Sequence, residues 1–206
     1  MTYKVFLSIS IALVSYLVYG FYTSMKKKSP RKEIHEAIFF SPGNNGNMKK
    51  SKYSRCMVTE SMERFLYYLN TPRYTLDICM YVMTNSDITN VVLKQHYKGV
   101  KVRLILDADM AFSSGSSLKK LEKQGIPVRW MKSTNLMHHK FCLLDACSDN
   151  PDVVPVVMMG SLNWTNQALN GNWEDVAVTS QPDLVRQYKE EFERLYELFT
   201  PIVNLV

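Results

Sequence analysis

The sequence predicts an α/β domain in which a sheet is built from strands joined by helical connections. Short apolar runs of strand length alternate with amphipathic segments of helical length, and Gly and Pro residues separate them. Of the 206 residues, 46% are hydrophobic and 21% are charged. That composition is typical of a globular protein and excludes disorder as the overall class, and the length fits one domain with additions.

The N-terminal segment is predicted to be separate from this domain. Residues 5–25 contain no charged side chain, and 15 of these 21 residues are apolar. As a helix the segment would span about 31 Å, close to the hydrocarbon thickness of a bilayer. A cleaved signal peptide is the alternative, but the run is long for one and lacks a clean cleavage site. We therefore expect a transmembrane anchor over residues 1–25, and Lys26–Lys28 would leave the following chain in the cytosol.

A basic linker, residues 26–33, leads into the folded domain, which we expect over residues 34–206. Between residues 41 and 57 the chain is rich in Gly, Asn and Lys, which favours an irregular loop. Seven short apolar runs predict strands, namely residues 34–40, 75–82, 100–106, 127–131, 138–144, 154–159 and 175–179.

Four amphipathic segments predict helices, namely residues 59–69, 86–98, 114–124 and 183–199. Thr59 and Ser86 stand at the start of the first two helices and are expected to cap them. Gly99 and Gly125 follow the second and third helices, as is usual at helix ends. Because the early strands are separated by helices, the sheet is expected to contain crossover connections.

The net charge of +6 does not come from the folded domain. Residues 1–32 contain six basic and no acidic side chains, so the rest of the chain is neutral. Within the domain, residues 49–140 carry 16 basic and 7 acidic side chains, whereas residues 141–206 carry 3 basic and 10 acidic ones. This asymmetry can make one face attractive to phosphates, although a mixed solvated surface would give the same counts.

The four cysteines contain no C-x-x-C pair, which excludes a zinc ribbon and a thioredoxin-like site. Cysteines scattered in this way are typical of proteins of reducing compartments. The domain is also long enough to bury a core without disulfide bonds.

The strongest chemical signal lies between His138 and Asn163. His138 and Lys140 are two residues apart in a predicted strand, so their side chains point to one face. An imidazole beside an ammonium suits a phosphoryl group, because His can attack phosphorus while Lys neutralises the oxygens. Gly160 would permit close backbone approach, and Ser161 and Asn163 offer a hydroxyl and an amide to the same oxygens. A bare H-x-K pair is more often an ordinary surface pair, so the G-S-x-N segment is needed for this interpretation.

The pattern H-x-K-x4-D followed by G-S-x-N resembles the signature of the phospholipase D superfamily, with Asp145 at its acidic position. The sequences MHHKF at 137–141, GSLNWT at 160–165 and EEFERLYE at 190–197, with the Asn172-x-Glu174 step, are similar to the Zucchini family. Those proteins are membrane-anchored and are also called mitochondrial phospholipase D or cardiolipin hydrolase. The resemblance covers nearly the whole chain, and it implies a phospholipase D-like mixed sheet flanked by helices with one such motif per chain.

The resemblance further implies a phosphodiesterase that needs no catalytic metal and no other cofactor. Its active site would combine the motifs of two chains in a homodimer. His138 of one chain would attack phosphorus, and His138 of the other would protonate the leaving oxygen and then activate water. Lys140 and Asn163 would hold the phosphate oxygens. Glu174 would accept a hydrogen bond from His138, and Ser161 would support the phosphate or the histidine.

Some features of the sequence depart from the family pattern. Asp145 and Gly160 enclose 14 residues where the signature usually has six, which indicates a lengthened hairpin loop that leaves the site intact. Zucchini-like proteins typically carry a structural zinc element, but Cys56 and His35 are too few ligands to form one here. From the strand alternation, Asp145 is expected to be structural, and His139 is expected to pack on the face opposite His138.

Two functions fit this site. The first, and our main prediction, is an endoribonuclease that cuts single-stranded RNA in PIWI-interacting RNA biogenesis and leaves 5′-phosphate ends. The alternative is a lipid hydrolase that converts cardiolipin into phosphatidic acid. The basic residues Lys49, Lys50, Lys52 and Arg55 favour RNA as the partner, although anionic lipid attracts the same charge. Either protein is expected in the mitochondrial outer membrane, with one span and a cytosolic catalytic domain.

Overall fold

A computed structural model describes residues 12–22, 33–43, 48–111, 115–131 and 134–201 of the chain. The chain divides into two compact units, Met1–Lys32 and Glu33–Val206. In the first unit, residues 12–22 form helix α1, whose side chains are exposed. The rest of the predicted span and most of the predicted linker lie outside the described residues. Among the described residues, no helix is long and apolar enough to cross a membrane.

The second unit is built on an eight-stranded mixed sheet in the order β1-β9-β8-β7-β4-β5-β6-β10. Strands β4, β5 and β6 run parallel, and the other neighbours in the sheet are antiparallel. The sheet contains β1 (His35–Phe40), β4 (Thr75–Met80), β5 (Lys101–Leu106), β6 (Val128–Trp130), β7 (Lys140–Leu144), β8 (Val156–Gly160), β9 (Glu174–Thr179) and β10 (Thr200–Pro201). A separate hairpin pairs β2 (Lys49–Lys50) with β3 (Met57–Val58).

Six helices of this unit are described: α2 (Glu60–Leu69), α3 (Ser86–Tyr97), α4 (Ala108–Ala111), α5 (Leu118–Lys123), α6 (Asn166–Gly171) and α7 (Pro182–Leu198). Thr59 caps α2 as predicted, because its hydroxyl accepts a hydrogen bond from the Met62 amide. The expected Ser86 cap is wrong. Asn85 is the capping residue, and its side chain accepts from the Ile88 amide.

The predicted mixed sheet flanked by helices is confirmed, with differences at the element ends. The predicted helix over 114–124 is shorter, and α4 and α6 were not predicted. The loop over 41–57 contains the β2–β3 hairpin. Strand β7 begins at Lys140, so His138 lies just before the strand and not within it. These differences occur where segments are short, since few residues then carry the periodic pattern.

Alternation along the central strands divides the core between the two faces of the sheet. In β4, Ile78 and Met80 pack into the larger cluster with α2, α3 and α6, whereas Cys79 points to the other face. In β7, Cys142 belongs to the larger cluster, and Phe141 packs beneath α7 with Phe192. Both faces of the central strands are therefore covered, as expected when crossover helices flank a sheet.

A buried ion-pair network connects α7 to the sheet. Asp77 of β4 is 1% exposed and accepts a 2.6 Å hydrogen bond from Arg103 of β5. The Arg103 guanidinium also donates two hydrogen bonds to Glu193 of α7 and stacks over the rings of Phe192 and Tyr196. Because Asp77 is buried, its charge depends on Arg103 for compensation.

Replacing Arg103 by Met should lower the free energy of unfolding by about 3 kcal/mol, because a buried carboxylate loses its partner. Urea unfolding followed by circular dichroism measures the change. Arg186→Ala is the matched control, since Arg186 forms exposed pairs with Asp183 and Glu190 on α7. The control should leave the unfolding midpoint nearly unchanged. Equal small shifts in both variants would contradict the importance of the buried network.

Candidate active site

Three neighbouring strands bring the predicted site residues to one edge of the sheet. Lys140 begins β7, and the register pairs Phe141 with Met159, so Lys140 lies level with Gly160 at the end of β8. Strand β9 runs antiparallel to β8 and begins at Glu174. The residues of the H-x-K and G-S-x-N motifs therefore meet at one edge, as the sequence predicted.

The His138 and Lys140 side chains lie together. The Lys140 ammonium is 3.2 Å from Nε2 and 3.3 Å from Nδ1 of the His138 ring, and it donates a 2.9 Å hydrogen bond to the His138 carbonyl. The imidazole is exposed, which leaves it accessible to a substrate. On the opposite face, His139 lies 3.2 Å from Glu191 of α7, as predicted from the alternation.

Tyr81, which sequence reasoning did not identify, lies against both the His138 and the Lys140 side chains. Its ring centre is 4.8 Å from that of His138 and 5.3 Å from the Lys140 ammonium. The Tyr81 amide also donates to the His139 carbonyl, so the residue after β4 extends the pairing with the His138 segment. The sequence does place Tyr81 directly after a predicted buried strand. Its contact with His138, however, depends on the pairing of β4 with β7, and the two residues are 57 positions apart in the sequence.

A second supporting residue not identified from the sequence is Asp107, a buried carboxylate at the end of β5. One of its oxygens accepts from the Met137 amide at 3.0 Å, and the other accepts from the Asp109 and Met110 amides at the start of α4. Asp107 thereby ties the residue that precedes His138 to the sheet.

Gly160 is required by the packing of β8 against β9. A Cβ atom added there would overlap the carbonyl oxygen of Asp175, and the Ser161 amide donates to that same oxygen. The close backbone approach that glycine permits here is thus to the neighbouring strand β9. This packing holds Ser161 against Glu174.

The Glu174 carboxylate has different partners from those the resemblance implied. It accepts hydrogen bonds from the Ser161 hydroxyl and from the Asn172 side chain, and none from His138. The expected Glu174–His138 bond is therefore absent between these two residues of the same chain. The reason is the register of β9, which places Glu174 beside Ser161, while the Lys140 ammonium takes the place next to the imidazole.

Asn163 holds an unsatisfied polar atom at this edge. Its side-chain oxygen is buried and has no hydrogen-bond partner among the described residues. Such an atom is costly to bury, so a ligand or a second chain that supplies a donor would relieve the cost.

Asp145 is structural, as the strand alternation predicted. It has a positive φ of 55°, and its carboxylate accepts hydrogen bonds from the amides of Arg73, Tyr74 and Thr75. These bonds join the chain before β4 to the end of β7, far along the strand from Lys140.

The predicted basic residues lie on the β2–β3 hairpin, beside a cleft of about 650 Å³. Lys49 and Lys52 line this cleft, and Lys50 and Arg55 are exposed on the same hairpin. Three carboxylates line it too, namely those of Glu36, Glu60 and Glu63. Lys49 pairs with Glu60, and a third cation of the cleft, Arg64, forms a bidentate hydrogen bond with Glu36. The cleft therefore does not present a continuous positively charged surface. The role of the four basic hairpin residues in substrate binding stays a prediction.

The described residues do not fit the zinc element of Zucchini-like proteins. Cys56 is exposed in the hairpin, and the His35 ring is hydrogen-bonded to Thr179. Within the described ranges, no group of three His, Cys, Asp or Glu side chains is arranged to hold a metal ion.

Electrostatics distinguish Lys140 from an ordinary surface lysine. Partial burial lowers the pKa of its ammonium, and the negative charge of Glu174 acts in the opposite direction. Glu174 therefore helps to keep Lys140 protonated, which is the state that neutralises a phosphate.

Comparisons with known proteins show the family to which the chain belongs. Residues 65–196 match the family described as "Cardiolipin synthase, PLD-like domain". A protein of Chlamydomonas reinhardtii named mitochondrial cardiolipin hydrolase is 40% identical over 154 residues, which are 75% of this chain and 66% of that protein. The mouse protein of the same name is 33% identical over 183 residues, with 84% of this chain and 79% of the mouse protein covered. The chain thus spans just under two thirds of the algal relative and about four fifths of the mouse one.

The fold is also shared with a solved structure. A phospholipase D family member, Nuc from Salmonella typhimurium, superposes with a TM-score of 0.66 at 18% identity, over 84% of this chain and 100% of that one. At this identity the likeness concerns the fold alone.

The Glu174→Gln substitution should lower the pKa of Lys140 further, because the charge that favours the ammonium is removed. Competitive acylation of lysines over a pH series, read by mass spectrometry, gives the midpoint for Lys140 directly. We expect that midpoint below 10.5 in the wild type and lower still in Glu174→Gln. Asp175→Asn, one residue along β9, is the control and should leave it in place. A midpoint that rises, or that shifts equally in both variants, would contradict this account.

Proposed function

The chain belongs to the mitochondrial cardiolipin hydrolase (Zucchini) family of the phospholipase D superfamily, and on this premise we propose that it hydrolyses phosphodiesters through His138, with cardiolipin as the substrate. The observation that carries the chemistry is the contact of the Lys140 ammonium with an exposed His138 imidazole. The charge on Lys140 meets the phosphate oxygens, and the imidazole is free to approach phosphorus.

The reaction proceeds in two displacements. A nitrogen of His138 attacks phosphorus, the bond from phosphorus to one ester oxygen breaks, and that oxygen takes a proton from an acid on the opposite side. A water molecule then attacks the phosphohistidine, gives up a proton to the group that acted as acid, and releases His138. For cardiolipin, the products are phosphatidic acid and phosphatidylglycerol.

One observation supports a lipid as the substrate. The curated relatives are named cardiolipin hydrolases. The cleft that His138 and α7 line does not decide between the substrates, because the exposed Leu136 and Leu198 share its lining with charged side chains such as those of Glu191 and Arg194. The basic hairpin predicted to bind RNA offers a weaker argument, since its cleft carries as many carboxylates as cations.

Single-stranded RNA cleavage in PIWI-interacting RNA biogenesis is the second candidate. It is favoured by the excess of basic side chains in residues 49–140, and it uses the same chemistry at His138. Because the histidine attacks phosphorus, an RNA product would carry a 5′-phosphate and a 3′-hydroxyl, and the 2′-hydroxyl would take no part.

Purified protein should release phosphatidic acid from cardiolipin vesicles in the presence of a chelator, and single-stranded RNA assayed beside them should be cut more slowly. Thin-layer chromatography and gel electrophoresis give the two rates. His138→Asn is the control and should lose at least a thousandfold in either rate, because it removes the nucleophile. RNA cleavage without lipid hydrolysis would establish the second candidate, and activity in His138→Asn would reject the mechanism.

The reaction needs an acid besides the nucleophile, and we assign this role to His138 of a second copy in a homodimer. The chain has one H-x-K motif that continues to Asp, since His96 is also followed by Lys two residues on but has Arg103 where the pattern requires Asp. The unsatisfied oxygen of Asn163 is consistent with a site that is incomplete in one chain. A twofold axis would place two equivalent motifs on opposite sides of one phosphate.

Mixing wild-type and His138→Asn chains in equal amounts tests this composite site. If both histidines serve one phosphate, only dimers of two wild-type chains turn over, so about a quarter of the full activity remains after random assembly. The control mixes wild type with a differently tagged wild type and should retain all activity. A residual activity of one half would show that each chain works alone.

The relatives' name supports mitochondria as the location. An outer-membrane anchor with the catalytic domain in the cytosol extends this assignment. It rests on the uncharged run over residues 5–25 and the three lysines that follow it.

A further inference from the structure

An imidazole that attacks phosphorus works best when its ring is held in one orientation, and the polar contacts of His138 do not achieve this. Glu174 is hydrogen-bonded to Ser161 and Asn172, and not to His138. The Lys140 ammonium lies 3.2 Å from Nε2 and 3.3 Å from Nδ1, so it does not select one nitrogen. Because an exposed side chain without a directional bond moves among several rotamers, these contacts leave the plane of the ring unfixed.

The Tyr81 side chain packs against the His138 imidazole. The two ring centres are 4.8 Å apart and the ring planes are tilted by 59°, which is within the range of favourable aromatic pairs. The same tyrosine ring has its centre 5.3 Å from the Lys140 ammonium, which is close enough for a cation–π contact. One aromatic ring therefore contacts both side chains of the H-x-K pair.

The backbone around Tyr81 is itself held in place by hydrogen bonds. The Tyr81 amide donates a 3.0 Å hydrogen bond to the His139 carbonyl, and the Val82 carbonyl accepts a 3.0 Å hydrogen bond from the Trp164 amide. Trp164 directly follows Asn163, so the chain at Tyr81 is joined to the segments of both motifs. These are main-chain bonds, which a substitution of the Tyr81 side chain leaves in place.

We infer that Tyr81 is a positioning residue, whose aromatic ring holds the His138 imidazole and the Lys140 ammonium in place for attack on phosphorus. The inference rests on the proposed phosphodiesterase activity at His138. The ring acts before the substrate arrives, because it removes orientations of the imidazole that cannot reach phosphorus. Both contacts involve the ring and not the hydroxyl group, so phenylalanine should replace tyrosine here and an aliphatic residue should not.

The test compares wild type with Tyr81→Phe, Tyr81→Leu and Tyr81→Met as full-length chains at one detergent concentration. The substrate is the soluble diester bis(4-nitrophenyl) phosphate, which has neither acyl chains nor nucleosides, so the result does not depend on the natural substrate. In the Leu and Met variants kcat should fall by about tenfold or more while KM changes by less than about threefold, because a misplaced nucleophile slows the reaction more than it weakens binding. Tyr81→Phe should keep kcat within about twofold of the wild type, since its ring makes the same contacts.

Nuclear magnetic resonance of histidine-labelled protein gives a readout that a loss of stability would not reproduce. The carbon-bound ring protons of His138, identified by their absence in His138→Asn, experience the ring current of Tyr81. Their signals should move in Tyr81→Leu and Tyr81→Met and stay near the wild-type positions in Tyr81→Phe. Tyr97→Leu is the matched control, because Tyr97 is an exposed tyrosine that contacts the His96 ring. It should move the His96 signals and leave kcat and the His138 signals unchanged.

The outcomes separate this inference from the proposed function. Aliphatic variants that keep kcat, or that lose it with unchanged His138 signals, overturn the positioning role. A Tyr81→Phe variant that loses as much as Tyr81→Leu overturns it too, because the hydroxyl group would then be the part that acts. Circular dichroism and light scattering check the fold and the oligomeric state of each variant. A wild type that leaves the diester intact rejects the proposed function, whereas the His138 signals still decide whether the Tyr81 ring orients the imidazole.

Discussion

The packing of β8 against β9 at Gly160 is the constraint on which the arrangement of the site depends. The carbonyl oxygen of Asp175 occupies the space that any larger residue at position 160 would need. With glycine there, the Ser161 amide reaches that carbonyl and the Ser161 hydroxyl reaches Glu174. Glu174 in turn acts on the charge of Lys140 across the same edge. A glycine required by strand packing thus sets the electrostatic environment of Lys140.

The H-x-K-x4-D motif joins two different functions along one strand. At the start of β7, the His138 and Lys140 side chains lie together at the open edge of the sheet, where we propose that they carry the chemistry. At its end, Asp145 adopts a positive φ, which costs free energy for a residue with a side chain, and three backbone amides offset the cost. Fixing the far end of β7 leaves few ways to shift its register, and a shift of one residue would turn Lys140 to the other face of the sheet.

Much of this could be predicted from the sequence because the signals were local. Strand alternation placed His138 with Lys140, and His139 with α7. The site features that could not be predicted from the sequence depend on contacts between segments far apart in the chain. Tyr81 and Asp107 reach the site only because β4 and β5 end beside the segment before β7, and the partners of Glu174 follow from the register of β9. The Asn85 cap was missed because Asn and Ser are both good caps and stand next to each other.

The chemistry at phosphorus and the choice of substrate reside in different parts of the fold. Strand β7 and the segment just before it hold Lys140 and His138, and nothing in their contacts distinguishes the phosphate of a lipid from that of a nucleic acid. Selectivity must come from the surfaces that receive the ester arms. The hairpin cleft has three carboxylates beside its three cations, and Lys49 and Arg64 are already paired with two of them. Charges that are already paired gain little from a new phosphate, so this cleft offers a nucleic-acid strand less than the number of its basic residues suggests.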